Sequence, residues 1–152
     1  MALRAIISKN EEILHKKCKP VIDFNEKLWT LLDDMKETLE AANGLGLAGP
    51  QVGIIRRLFI MVTDDGIVEA INPEVSDTEG TQRDVEGCLS CPDEWGYVTR
   101  PLICTLKAQD RNGKPFEMRL TGIDCRCACH ETDHLNGLLF LDKVDEMVTF
   151  EK

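Results

Sequence analysis

Apolar positions recur at helical spacing from Glu26 to Ala42, where Leu28, Leu31, Leu32, Met35, Leu39 and Ala42 form one stripe. Asp23, with Glu26 three residues on, offers a start signal for this helix, and Gly44 stands where it should stop. From Arg57 the period shortens. Leu58 to Val62 and Ile67 to Ile71 read as two strands joined by the turn Thr63-Asp64-Asp65-Gly66, a hairpin. In a second hairpin Leu102, Cys104, Leu106 and Ala108 alternate with Ile103, Thr105 and Lys107. After the turn Asp110-Arg111-Asn112-Gly113, Phe116, Met118 and Leu120 alternate with Glu117 and Arg119. Helical spacing returns from Gly122 to Asn136, opened by Thr121 with Asp124 three residues later and closed by Gly137. Helix, antiparallel strands, helix is an α+β order rather than an alternating βαβ one.

No repeat, low-complexity tract or linker divides the chain, so residues 1–152 read as one domain. Its 43% hydrophobic content is enough for a single core. Charge narrows the partners: 27 acidic against 18 basic residues give −9, which argues against a broad electrostatic grip on nucleic acid or anionic lipid. No run approaches the roughly 20 apolar residues of a membrane span. Met1 to Asn10 lacks the apolar segment of a secretory signal, so a reducing cytoplasm is the expected compartment. In that setting seven cysteines argue against a disulfide framework and for metal binding, catalysis or buried small hydrophobes.

His130-Glu131-Thr132-Asp133-His134 is the sharpest local signal. Residues four apart share a helix face, so both imidazoles can reach one cation while Glu131 reaches a water bound to it. Ile123 and Cys127 fall on the same face, which turns the histidines toward the apolar interior. The chain has only three histidines, and two sit in this frame. A catalytic site usually takes three protein ligands and leaves one position open, so a carboxylate or a cysteine is still needed. Cys88 and Cys91 form a C-x-x-C that would suit a closed Cys₂His₂ zinc module. Such a site has no use for Glu131, and its ligand pairs would lie much further apart in sequence than finger spacing. A metallopeptidase would instead take its third ligand from Asp142, Asp145 or Glu146.

Cys125, Cys127 and Cys129 look like a ligand cluster, but at two-residue spacing successive side chains point about 200° apart and the three cannot converge. Cys127 faces inward with the histidines. Cys125 and Cys129, like Cys18 and the inward strand residue Cys104, are expected to be buried small hydrophobes. Gly44-Leu45-Gly46-Leu47-Ala48-Gly49-Pro50-Gln51 places three glycines in six residues, a backbone that another chain or a phosphate can approach closely. No Lys-Ser or Lys-Thr follows, and the segment comes after a helix, so neither a P-loop nor a dinucleotide loop fits.

Taken in this order, GLGLAGPQ, EGCLS and HETDH resemble the three signature motifs of the peptide deformylase family, metal hydrolases that remove the formyl group from N-formylmethionyl chains. Met1 to Val21 resembles the family's N-terminal segment, and Asp110 to Phe116 its central hairpin. The resemblance implies that Cys88, His130 and His134 bind the metal, and that Glu131 takes a proton from water and then passes one to the leaving amine. It implies that the Gln51 side chain and the Leu89 N–H stabilise the formyl oxygen, that Gly46 pairs with the substrate main chain, and that Leu45 and Cys127 line the methionine pocket. Iron(II) is the implied metal, with zinc or another divalent ion able to take its place in purified protein. The implied partner is a formylated nascent chain, met by a monomer in transient proximity to the ribosome. The acidic stretch from Asp142 does not match the basic C-terminal helix through which some members dock there. Gly49, Cys91 and Cys129 also depart from the usual motif residues.

Overall fold

The computed structural model describes residues 2–149. The first helix, α1, occupies Glu26–Ala42, the span its apolar stripe predicts. Its caps differ from expectation. The Asn25 side chain, not Asp23, accepts the Leu28 N–H at 3.3 Å, and Asn43, one residue before Gly44, takes the left-handed turn at φ 53°. Asparagine is the other residue that caps well at both ends, because its short amide accepts from the first turn and tolerates positive φ.

Six strands follow: β1 Gly46–Ala48, β2 Leu58–Thr63, β3 Gly66–Cys88, β4 Cys91–Gln109, β5 Pro115–Thr121 and β6 Val144–Met147. They form one antiparallel sheet in the order β1-β2-β3-β4-β5, with β6 on the outer part of β4. Both expected hairpins are present, turning at Thr63/Gly66 and Gln109/Pro115. β3 and β4 run well beyond the predicted segments. The outer arm of β3 carries mostly exposed polar residues such as Asp77, Glu79 and Asp84 and is held by backbone pairing to β4, with three register shifts, while the β4 arm buries Cys91 and Val98 in a core of its own.

β2 is buried on both faces and separates two cores. Leu58 and Ile60 meet Leu28, Leu32, Met35 and Leu39 of α1, while Phe59 and Met61 face the side covered by the second helix, α2. α2 occupies Gly122–Leu135 and buries Cys125, Ala128 and Leu135 against this sheet. It stops one residue short of Asn136. The chain then turns at Gly137, φ 78°, where a Cβ would come within 2.7 Å of the His15 carbonyl. Thr121 occupies the N-cap position but makes no side-chain cap bond. Ile123, expected to face inward, is 62% exposed, because the first turn of α2 projects over a cleft. A third core, of Leu14, Cys91, Val98, Leu139 and Phe140, closes the far side of α2, and Phe140 stacks on the His130 ring. No helix among the described residues is long and apolar enough to cross a membrane.

Candidate active site

Three elements bring the candidate residues together. The tight connection between β3 and β4, where Cys88 pairs with Cys91 across the turn, carries Cys88 and Leu89. α2 carries Cys127, His130, Glu131 and His134. β1 and the 3₁₀ turn Gly49–Val52 carry Gly46 and Gln51.

The donor atoms of Cys88, His130 and His134 lie within 4.8 Å of one another, with Cys88 Sγ 3.4 Å from His134 Nε2. The sulfur of Cys91 does not join this group. Burial alone would raise the Glu86 carboxyl, but hydrogen bonds from His130 and Arg100 outweigh it and hold Glu86 well below the usual carboxylate range. Glu86 is therefore an anion and His130 Nδ1–H donates to it at 2.9 Å, which leaves Nε2 as the ring nitrogen that can meet a cation. Burial and the neighbouring His130 push His134 well below the ordinary histidine value, so it presents a neutral ring, whereas at His130 burial is outweighed by the hydrogen bond with Glu86, which raises the ring above that value.

Sequence reasoning gave Glu86 no task. In the structure it anchors a buried network in which Arg100 grips it through two 2.9 Å bonds, Arg126 adds a third contact, and Arg100 reaches Asp133 at 2.5 Å. Lys143 completes it, 3.1 Å from Asp133. Glu86 and Asp133 stand inside the EGCLS and HETDH motifs, so proximity in sequence could have flagged them. Arg100 carries no local signal, because only the fold brings β4 beside α2, whereas Arg126 lies on α2 itself, one turn before His130.

Burial lifts the Glu131 carboxyl to about 7, and its Oε1 has no hydrogen-bond partner. A hydrogen bond with Cys91, burial and the Glu131 charge push the Cys88 thiol up. An unpartnered buried carboxyl oxygen beside one sulfur and two imidazoles suits a divalent cation of borderline softness. Gln51 is held by the Ala48 N–H, which donates to its Oε1 at 2.9 Å. This aims its amide at Ser90 Oγ, 3.1 Å away, and Cys88 Sγ, 3.4 Å away.

Beside this group opens a cavity of about 510 Å³ whose lining includes Leu45, Gly46, Leu89, Trp95, Ile123 and Cys127. The pocket residues Leu45 and Cys127 expected from sequence are both present; Trp95 is an addition. Leu45 is half exposed at the rim, and its carbonyl accepts the Val62 N–H at 2.8 Å. β1 lies at the edge of the sheet. At Gly46 a Cβ would sit 2.5 Å from Glu131 Oε2 and 2.9 Å from Cys127 Sγ, so only glycine permits this approach of β1 to α2.

The profile of polypeptide deformylases matches residues 3–149. The chain belongs to the polypeptide deformylase family. A peptide deformylase of Caldicellulosiruptor bescii is 49% identical over 152 residues, covering 100% of this chain and 92% of that protein. The crystal structure of peptide deformylase from Thermotoga maritima matches with a TM-score of 0.92 at 38% identity, over 94% of this chain and 98% of that one. A deformylase from Synechococcus elongatus, in complex with actinonin, matches with a TM-score of 0.89 at 35% identity, over 93% of this chain and 78% of that one. Deformylases are metalloenzymes that remove N-formyl groups from nascent peptides, and this chain is a hydrolase of that family.

The rival readings lose their residues. Asp145 and Glu146, offered as metallopeptidase ligands, bind Arg83 at 2.7 and 3.1 Å, and Asp142 accepts the Leu139 N–H. The closed Cys₂His₂ module lacks its second sulfur, since Cys91 lies outside the donor group.

Proposed function

We propose that Cys88, His130 and His134 hold one iron(II) ion and that Glu131 moves the protons as the formyl group is removed from N-formylmethionyl nascent chains. The observation that carries this reading is the convergence of one thiol and two imidazoles within 4.8 Å, with the Glu131 carboxyl buried beside them. A divalent ion held there would polarise the formyl carbonyl and acidify a water next to it. Iron(II) suits one thiolate and two imidazoles, and zinc or another divalent ion would also load in purified protein.

The chain's own groups supply the rest. The Glu131 carboxyl, buried beside the three ligands, would take a proton from water and pass it to the departing amine. The Gln51 amide, already fixed by Ala48, and the Leu89 N–H would donate to the formyl oxygen as negative charge builds on it. To reach that oxygen, Gln51 gives up its long contact with Cys88 Sγ and keeps the one with Ser90. The open edge of β1 would pair with the substrate main chain at Gly46, with Leu45 and Cys127 walling the methionine side chain. A neutral formylated end requires no cationic pocket, which agrees with the net charge of −9. The whole chain acts as one catalytic unit, a cytoplasmic monomer that meets its substrate near the ribosome.

X-ray absorption on the iron(II)-loaded protein tests the ligand set. One sulfur and two imidazole nitrogens, with the sulfur lost in Cys88→Ala, is the expected result. Two sulfurs, or an unchanged spectrum in Cys88→Ala, would overturn it.

A further inference from the structure

Three of the cysteines that deformylation leaves unused meet in the core. Cys125 and Cys129 stand one turn apart on α2 and share a face, and Cys104 of β4 lies against them from the sheet. The sulfurs of the three lie within 4.8 Å of one another, and all three are free thiols. The i, i+2 spacing correctly separated Cys127 from the other two, but it could not show that Cys104 supplies a third corner from a different element. Cys104 and Cys125 are fully buried and Cys129 partly so, which leaves an approach through Cys129.

We propose that Cys104, Cys125 and Cys129 form a second site, built for a trivalent thiophilic ion held by three sulfurs, with arsenic(III) as its representative. The surroundings select the charge. Phe59, Met61, Leu106, Leu120 and Ala128 pack around the thiols. Burial raises the Cys104 thiol and pushes Cys125 up to about 12, so both stand protonated and neutral. A monovalent or divalent ion on three thiolates would leave net negative charge beside this apolar shell, where the two cations that act on the thiols, Arg100 and Arg119, are already engaged by Glu86 and Asp133 and by the Asp77 carbonyl and Thr105. A trivalent centre leaves none.

The reaction balances without a co-reactant. Arsenous acid, As(OH)₃, meets three thiols; three As–O and three S–H bonds break, three As–S bonds form, and the protons leave with the hydroxyl groups as three waters. Arsenic remains trivalent throughout, and neutral reactants give neutral products. The donor chemistry separates this site from the Cys88, His130, His134 group, whose two imidazoles suit harder divalent ions. An occupant would also tie β4 to α2 one residue from His130.

The test uses enzyme already loaded with zinc, so that Cys88 is engaged, and arsenite as the probe. One equivalent should bind with the mass gain of one arsenic less three hydrogens. X-ray absorption at the arsenic edge should show three sulfur neighbours and no oxygen, and the melting temperature should rise as binding favours the folded state. Cys129→Ser removes the accessible corner and should weaken binding by about 100-fold, because one of three linked contacts is lost. Cys91→Ser should leave binding unchanged. Oxygen neighbours in the wild-type spectrum, or equal affinity in Cys129→Ser, would overturn the proposal, as would loss of binding in Cys91→Ser. The wild-type spectrum decides even if a variant folds poorly.

Discussion

Glu131 shows what burial does to a single carboxyl. In the ion-free protein it holds its proton up to about 7, whereas in an unfolded chain it ionises near about 4.3. Between those values the folded state binds the extra proton. The stability this group contributes is therefore present at low pH and is lost as pH rises through about 7. Glu131→Gln removes that dependence. Urea titrations of ion-free protein should show the variant gaining on wild type as pH rises from about 5 to 8, approaching about 3 kcal/mol. An equal difference at both ends would contradict the account. Glu86 makes a complementary case, since it is charged and fully paired. Glu86→Gln leaves Arg100 and Arg126 short of a counter-charge and should cost about 3–5 kcal/mol in chemical denaturation. By loosening the His130 ring it should also weaken ion binding by about 10–100-fold in a competition titration. The candidate ligands and Glu131 were legible in the sequence because HETDH is a local helical pattern and, for Cys88, because EGCLS resembles a family motif. Arg100 was not legible, because its role depends on contacts between β4 and α2 that no local period encodes.

Among the elements, both helices and both hairpins followed from apolar spacing, since each buries a face against a core. β1 was hidden in a glycine-rich run too short to show a period. The outer arm of β3 was hidden because exposed residues such as Asp77, Glu79 and Asp84 give no alternation to read. The helix caps fell to Asn25 and Asn43, neighbours of the residues expected. β1 also carries a sharp constraint. Gly46→Ala places a methyl against Glu131 and Cys127, so either β1 or the carboxylate must move. Steady-state kinetics should show kcat/KM falling by about 100-fold, the scale of a misplaced reacting group. Activity close to wild type would mean that β1 does not set the position of Glu131.

At the scale of the whole molecule, the sheet packs one core against α2 and another, on its opposite face, against α1, while a third core sets Phe140 on the His130 ring. α2 thereby presents its histidines to the turn that carries Cys88 and to the cavity beside β1. The candidate site is drawn from three short segments spread along the sequence and gathered by the fold. The most direct test of the central claim is formate release from a formyl-methionyl tripeptide by anaerobically prepared, iron(II)-loaded wild type and Glu131→Ala, with bound iron measured in each. Equal iron in both, with turnover in the variant lower by at least about 100-fold, is the predicted result. Wild-type rates of formate release from Glu131→Ala would contradict it.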